Sequence, residues 1–168
     1  MSTIANKFCL DANVLIQPWQ KYYNPKFCPE YWKILIELGK REIVFIPELV
    51  YEEIARTEDE LSKWLKASKI PIERISESVT ICLQKIYTTD PEHKKLVDNI
   101  RGRSLADPWV IAHAMDRNAI VVTKESKETA LNSKRIKIPN VCENMGIEWI
   151  DDFQLIERLG IQFSCSLT

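Results

Sequence analysis

Lys7-Phe8-Cys9-Leu10-Asp11-Ala12-Asn13-Val14-Leu15-Ile16 is the stretch whose reading sets the fold of this chain. The apolar run from Phe8 to Leu10 has the length of a buried strand, and it stops on an acid followed by a small residue and an asparagine. An aspartate just past a buried strand is informative, because open parallel sheets bind ligands outside the carboxyl ends of their strands. Arg41-Glu42-Ile43-Val44-Phe45-Ile46 reads as a second strand. Between the two, Pro29 to Gly39 predicts a helix, with Trp32, Leu35, Ile36 and Leu38 at helical spacing, Pro29 in the first turn and Gly39 as the stop.

Further along, a helix starts at Pro47, and helices with a wet face are expected over Asp59 to Trp64, Ser76 to Tyr87 and Pro91 to Ile100, a helical insertion in the middle of the chain. Alternation then resumes with a helix from Asp107 to Arg117, the strand Ala119-Ile120-Val121-Val122-Thr123, a strand near Arg135 to Ile138, Glu148-Trp149-Ile150 and a last helix. Strands alternating with helices imply an α/β protein, a three-layer α/β/α sandwich around a central, mostly parallel sheet. At 168 residues, without an internal repeat, a Gly/Ser linker or a like-charge block, residues 1–168 are expected to form one domain.

Composition narrows the function classes. The hydrophobic fraction of 45% and charged fraction of 28% are ordinary for a globular protein, so disorder is not indicated. A net charge of -1 excludes a uniformly basic nucleic-acid binder, and any such affinity must come from local patches. Cys9, Cys28, Cys82, Cys142 and Cys165 include no C-x-x-C pair, and His93 and His113 lack ligand spacing to them, which argues for reduced thiols and against zinc. With no apolar run of about 20 residues and no signal-peptide pattern, a cytoplasmic protein without a membrane span is expected.

Four acids merit inspection. Asp11 ends the first strand and Glu125 lies two residues beyond Thr123. On a wheel of about 100° per residue with Leu49 at 0°, Val50 falls near 100°, Glu53 near 40°, Ile54 near 140° and Glu52 near 300°. That places Glu53 on the apolar face. The same construction from Asp107 sets Val110, Ile111, Ala114 and Met115 around it, so Asp107 is expected on a buried face as well. Carboxylates aimed into a core are costly unless a cation meets them, and Arg56 at the edge of the Glu53 face is the sole nearby one. A divalent cation such as Mg²⁺ or Mn²⁺, which takes oxygen ligands, would resolve the conflict. Each acid also has an ordinary reading: Asp107 before Pro108 as a helix N-cap, Asp11 as a strand-ending turn, Glu53 paired with Arg56, and Glu125 as a solvated loop acid.

In order along the chain, Leu10-Asp11-Ala12-Asn13-Val14-Leu15-Ile16, Pro47-Glu48-Leu49-Val50-Tyr51-Glu52-Glu53-Ile54, Asp107-Pro108-Trp109-Val110-Ile111-Ala112 and Val121-Val122-Thr123-Lys124-Glu125 resemble the four motifs of PIN-domain nucleases. Tyr31-Trp32 and Ile138-Pro139-Asn140-Val141-Cys142-Glu143 with Gly146-Ile147 resemble a group of uncharacterised bacterial PIN-like proteins. The resemblance implies a Mg²⁺- or Mn²⁺-dependent endoribonuclease, with Asp11, Glu53 and Asp107 as metal-binding catalytic acids and Glu125 at the fourth place, where Asp or Asn is commoner. It makes Asn13 and Thr123 supporting polar residues. It further implies RNA as substrate, a toxin role with an antitoxin partner, and a homodimer. Basic residues placed to hold an RNA backbone are Arg101, Arg103, Lys124 and Lys127, with Lys21, Lys26, Lys134, Arg135 and Lys137 besides. Tyr22, Tyr23 and Trp19 could stack bases or pack in the rim.

Two rival readings stand beside this one. A haloacid-dehalogenase-like phosphatase would use Asp11, Thr123 and the Asp151-Asp152 pair, but Asn13 occupies the place of its general acid. The other is a PIN-like fold that binds RNA or a protein partner without cutting.

Overall fold

A computed structural model describes residues 6–97 and 105–168. Five strands, β1 (Phe8–Leu10), β2 (Val44–Pro47), β3 (Ile72–Glu73), β4 (Ile120–Val122) and β5 (Trp149–Ile150), form one sheet in the order β3-β2-β1-β4-β5. All four pairings are parallel, with Cys9 opposite both Phe45 and Val121. Every residue of β1, β2 and β4 is buried, as a parallel sheet covered on both faces requires. The expected α/β architecture is therefore the observed one.

The covering helices are α1 (Asn13–Gln20), α2 (Pro29–Lys40), α3 (Glu48–Ala55), α4 (Glu60–Ser68), α5 (Glu77–Thr89), α6 (Asp107–Arg117), α7 (Ile138–Met145) and α8 (Asp152–Arg158). Asp59 and Ser76 cap α4 and α5 by accepting from the backbone amides of Ser62 and Val79. Packing of α6 on β1 is fixed by apolar contacts and by the Cys9 thiol, which donates to the Val110 carbonyl at 3.5 Å.

Four expectations need correction. The sequence reading passed over α1, whose eight residues contain Pro18. Pro18 cannot donate to the Val14 carbonyl, one turn back, and the buried Tyr31 hydroxyl donates to it instead, at 3.2 Å. The middle of the chain is not purely helical, because the two residues of β3 pair with Ile46 and Pro47. The expected helix from Pro91 is a 3-10 helix over Pro91–Leu96, and its expected continuation to Ile100 lies outside the described residues. No strand forms near Arg135: Ile138 opens α7, with Pro139 in its first turn, where a missing amide hydrogen does no harm.

The order of connections positions the site. From β1 the chain moves outward through β2 to β3, then crosses back to place β4 on the other side of β1. Strand order thus reverses at β1 and β4, and the crevice at their carboxyl ends is where such sheets bind ligands. Asp11 and Thr123 are the residues that stand there.

Candidate functional site

Asp11 leaves β1 with its amide still donating to the Val122 carbonyl at 3.0 Å, and its side chain is 4% exposed. Two donors fix the carboxylate: the Ala12 amide to Oδ1 at 2.8 Å and the Thr123 hydroxyl to Oδ2 at 2.9 Å. Thr123, wholly buried, uses its hydroxyl fully, since Oγ1 also accepts from the Glu125 amide at 3.1 Å and more loosely from Asn13 Nδ2 at 3.4 Å. Asn13 Oδ1 accepts from the Lys124 amide at 2.9 Å. Asn13 and Thr123 therefore lace the start of α1 to the end of β4 around Asp11.

Burial pushes the Asp11 carboxyl up from 3.8 to about 7, Glu125 and Glu53 add to the rise, and the Thr123 and Ala12 hydrogen bonds oppose it. Glu125 is half-buried and commits Oε2 to the Ile138 amide at the start of α7, at 2.9 Å, leaving its other oxygen for a further partner. Burial also raises the pKa of Glu53, and Arg56 counters it. Glu53 is nevertheless exposed, contrary to the wheel expectation. The fully buried stripe of α3 is Val50 and Ile54, centred near 120° on the same wheel, so Glu53 at about 40° sits on its margin and Glu52 lies about 180° from its centre. Glu52 instead lines a separate cleft with Tyr51, Lys66 and Arg74.

Asp107 is the first residue of α6 and is half-buried, following Ala106, so it lies inside the helix and is not its N-cap. Because α6 runs down to feed β4, its first residue is at the carboxyl edge of the sheet, the edge that carries Asp11. Among the described residues no ion pair reaches Asp11, Glu53 or Glu125, and no three His, Cys, Asp or Glu side chains stand close enough to hold an ion between them. The acids at this edge are not gathered into a ligand cluster, but they offer carboxylate oxygen only, a chemistry that fits a hard divalent cation and no soft one.

Of the basic residues expected to hold RNA, Arg101 and Arg103 lie outside the described residues. Lys124 is not a free clamp: its ammonium pairs at 2.9 Å with Asp152, which is 0% exposed and also accepts from the Tyr22 hydroxyl at 2.5 Å. Lys127 pairs with the exposed Glu143. The Tyr22–Asp152–Lys124 group was not foreseen as a unit, although Asp151 and Gln154 form a reciprocal capping box legible in the spacing. With Asp151 capping α8 and Asp152 holding Lys124, the acid pair needed for the phosphatase reading is engaged elsewhere.

All five cysteines are free thiols, and burial, with Glu125 and Asp11, pushes Cys142 up to about 12. No helix among the described residues is long and apolar enough to cross a membrane.

Comparison with curated proteins found no match. Among solved structures, the chain is similar to a chain of VapBC2 from Rickettsia felis bound to a DNA fragment from their promoter, at 16% identity and a TM-score of 0.53, covering 86% of this chain and 97% of that one. It is also similar to a chain of VapBC-1 from nontypeable Haemophilus influenzae, at 15% identity and a TM-score of 0.50, covering 86% and 96%. A family model described as a domain of unknown function (DUF4411) matches residues 8–163. From strand order, buried edge acid and family match together, the chain belongs to that family of unknown function and has the α/β fold expected of a PIN-like domain.

Proposed function

We propose that this protein hydrolyses RNA phosphodiesters with Mg²⁺ or Mn²⁺ held by Asp11, Glu53, Asp107 and Glu125. The observation that carries the reading is Asp11: a buried carboxylate at the strand-order reversal, held by two hydrogen bonds, raised to about 7, and met by no cation among the described residues. A cation bound there supplies an acidified water and neutralises charge growing on the phosphate. The chain's own part is orientation. Ala12 and Thr123 lock the Asp11 carboxylate, Asn13 keeps α1 against the residue that follows Thr123, and the Ile138 amide fixes one oxygen of Glu125. Because the similar solved chains come from VapBC complexes, a protein partner belongs to the proposal; the homodimer is carried only by the resemblance of the sequence motifs.

The test is degradation of an unstructured RNA, with a small phosphate ester as control for phosphatase chemistry. Cleavage is expected with Mg²⁺ or Mn²⁺ and none with EDTA; cleavage that persists in excess chelator overturns the proposal. The adjacent glutamates of α3 sharpen it. Glu53→Gln, which removes one of the carboxylates assigned to the metal, should cost more than the ~10–100-fold typical of indirect effects on a metal. Glu52→Gln, which lines the separate cleft, should leave cleavage near wild type. Equal losses, or a larger loss for Glu52, would remove Glu53 from the ligand set.

A further inference from the structure

Beside the acids, the same edge of the sheet carries an aromatic surface that the hydrolysis reading does not use. Phe153, in the first turn of α8, is 47% exposed although it is a large apolar ring. Its remaining surface is covered by neighbours. The Lys124 ammonium lies 4.2 Å from its centroid, and Tyr22 packs at 4.9 Å with its plane tilted by 41°. Tyr23 adds an edge contact at 6.2 Å. The platform is stiff, because Lys124 and Tyr22 are both anchored on the wholly buried Asp152. It is also close to the acids along the chain: Lys124 follows Thr123, the residue that holds Asp11, and its amide is held by Asn13.

We infer that the exposed part of Phe153 is a stacking platform for a nucleobase of single-stranded RNA, a specificity element that rests on the hydrolysis reading of the neighbouring acids. A cation beneath an aromatic ring withdraws density from it, which favours a dipolar, electron-rich nucleobase on the open side and disfavours a second cation. Charge around the platform suits the same ligand. Lys21 and Lys26, both exposed, flank Tyr22 and Tyr23 in the loop between α1 and α2, and among the described residues neither forms an ion pair, so both are available to phosphates. Each base has a π face, so the platform selects unpaired strands over duplex without reading sequence.

The experiment is binding of fluorescently labelled oligouridine to the full chain at fixed salt in EDTA, which withholds the metal that cleavage needs, beside an abasic strand of equal charge. The wild type should bind oligouridine about 10-fold or more tightly than the abasic strand, and Phe153→Ala should weaken oligouridine binding by about 10–100-fold while leaving the abasic strand unaffected. Phe153→Trp should bind at least as tightly as wild type. Phe153→Leu, which keeps an apolar side chain without the ring, should behave like alanine and keeps the test valid if the alanine variant misfolds. Equal binding of the two strands by the wild type, or leucine binding as tightly as phenylalanine, overturns the inference; the latter would favour a protein partner on this surface. Because binding is read without metal, base-dependent binding together with failure of the cleavage assay would sink hydrolysis alone and leave the platform standing.

Discussion

Asp11→Asn should abolish RNA cleavage and, in metal-free buffer, make the protein more stable than wild type near neutral pH. The two effects have one cause. The folded protein holds the Asp11 carboxyl at about 7, against an ordinary 3.8, so folding favours the protonated form. The stability tied to this group is fully present below about pH 4, where both states are protonated, and is lost as pH rises toward 7, because the unfolded chain releases its proton first. At 1.36 kcal/mol per unit, the loss is on the order of 4 kcal/mol at and above about pH 7. Asparagine removes that slope. It also disturbs one hydrogen bond, since its amide cannot accept from both Ala12 and Thr123, at about 1 kcal/mol. Urea unfolding in EDTA should therefore give a wild-type stability that falls more steeply between about pH 4 and 7 than the variant's, with the variant about 1 kcal/mol below wild type at the acid end and above it near pH 7. Cleavage by the variant should fall by more than about 100-fold, beyond the range of indirect effects on a metal. A variant that retains cleavage, or whose stability follows the wild-type profile, contradicts the assignment of Asp11.

The second large effect is expected at Lys124, and it separates a structural role from a nucleic-acid clamp. Lys124→Met keeps the aliphatic stem against Phe153 and Tyr22 but deletes the ammonium that meets Asp152. Asp152 is 0% exposed, so the variant strands a buried anion with the Tyr22 hydroxyl as its remaining side-chain partner. Removing one partner of a buried pair costs about 3–5 kcal/mol, whereas replacing both is close to neutral. Denaturant unfolding should show that loss in the single variant and recovery of most of it in Lys124→Met/Asp152→Asn, a coupling that two independent surface residues would not give. A single variant as stable as wild type would return Lys124 to the solvent-facing role that its sequence context suggested.

How far the sequence carried the reading differs by residue. β1, β2, β4 and α6 were legible because burial on both faces leaves near-continuous apolar runs and because Pro108 marks a helix start. α1 was not, since an internal proline argues against a helix when the hydroxyl that satisfies the freed carbonyl comes from Tyr31, 17 positions away. β3 has two residues, too few to show a period. That Asp11 ends β1 and that Glu125 lies just past β4 was legible from the strand ends, but the Thr123 hydroxyl's bond to Asp11 was not. Glu53 was expected in the middle of the apolar face of its helix and instead stands exposed at the margin of the stripe of Val50 and Ile54, because a wheel gives direction around the axis and not how far the helix clears the sheet. The Asp152–Lys124 pair joins residues 28 positions apart, a contact that no local pattern announces.

The measurement that bears most directly on the central claim is the metal-linked shift in melting temperature. A cation that binds the folded acids and not the unfolded chain stabilises by mass action, by about 2.7 kcal/mol when its concentration is 100 times its dissociation constant. Titrating Mn²⁺ into metal-free protein near pH 7 should raise the melting temperature progressively for the wild type and for Glu52→Gln, and leave Asp11→Asn unmoved. A wild-type melting temperature that stays constant across millimolar Mn²⁺, or an equal rise in Asp11→Asn, would show that the acids at this edge of the sheet do not form a metal site.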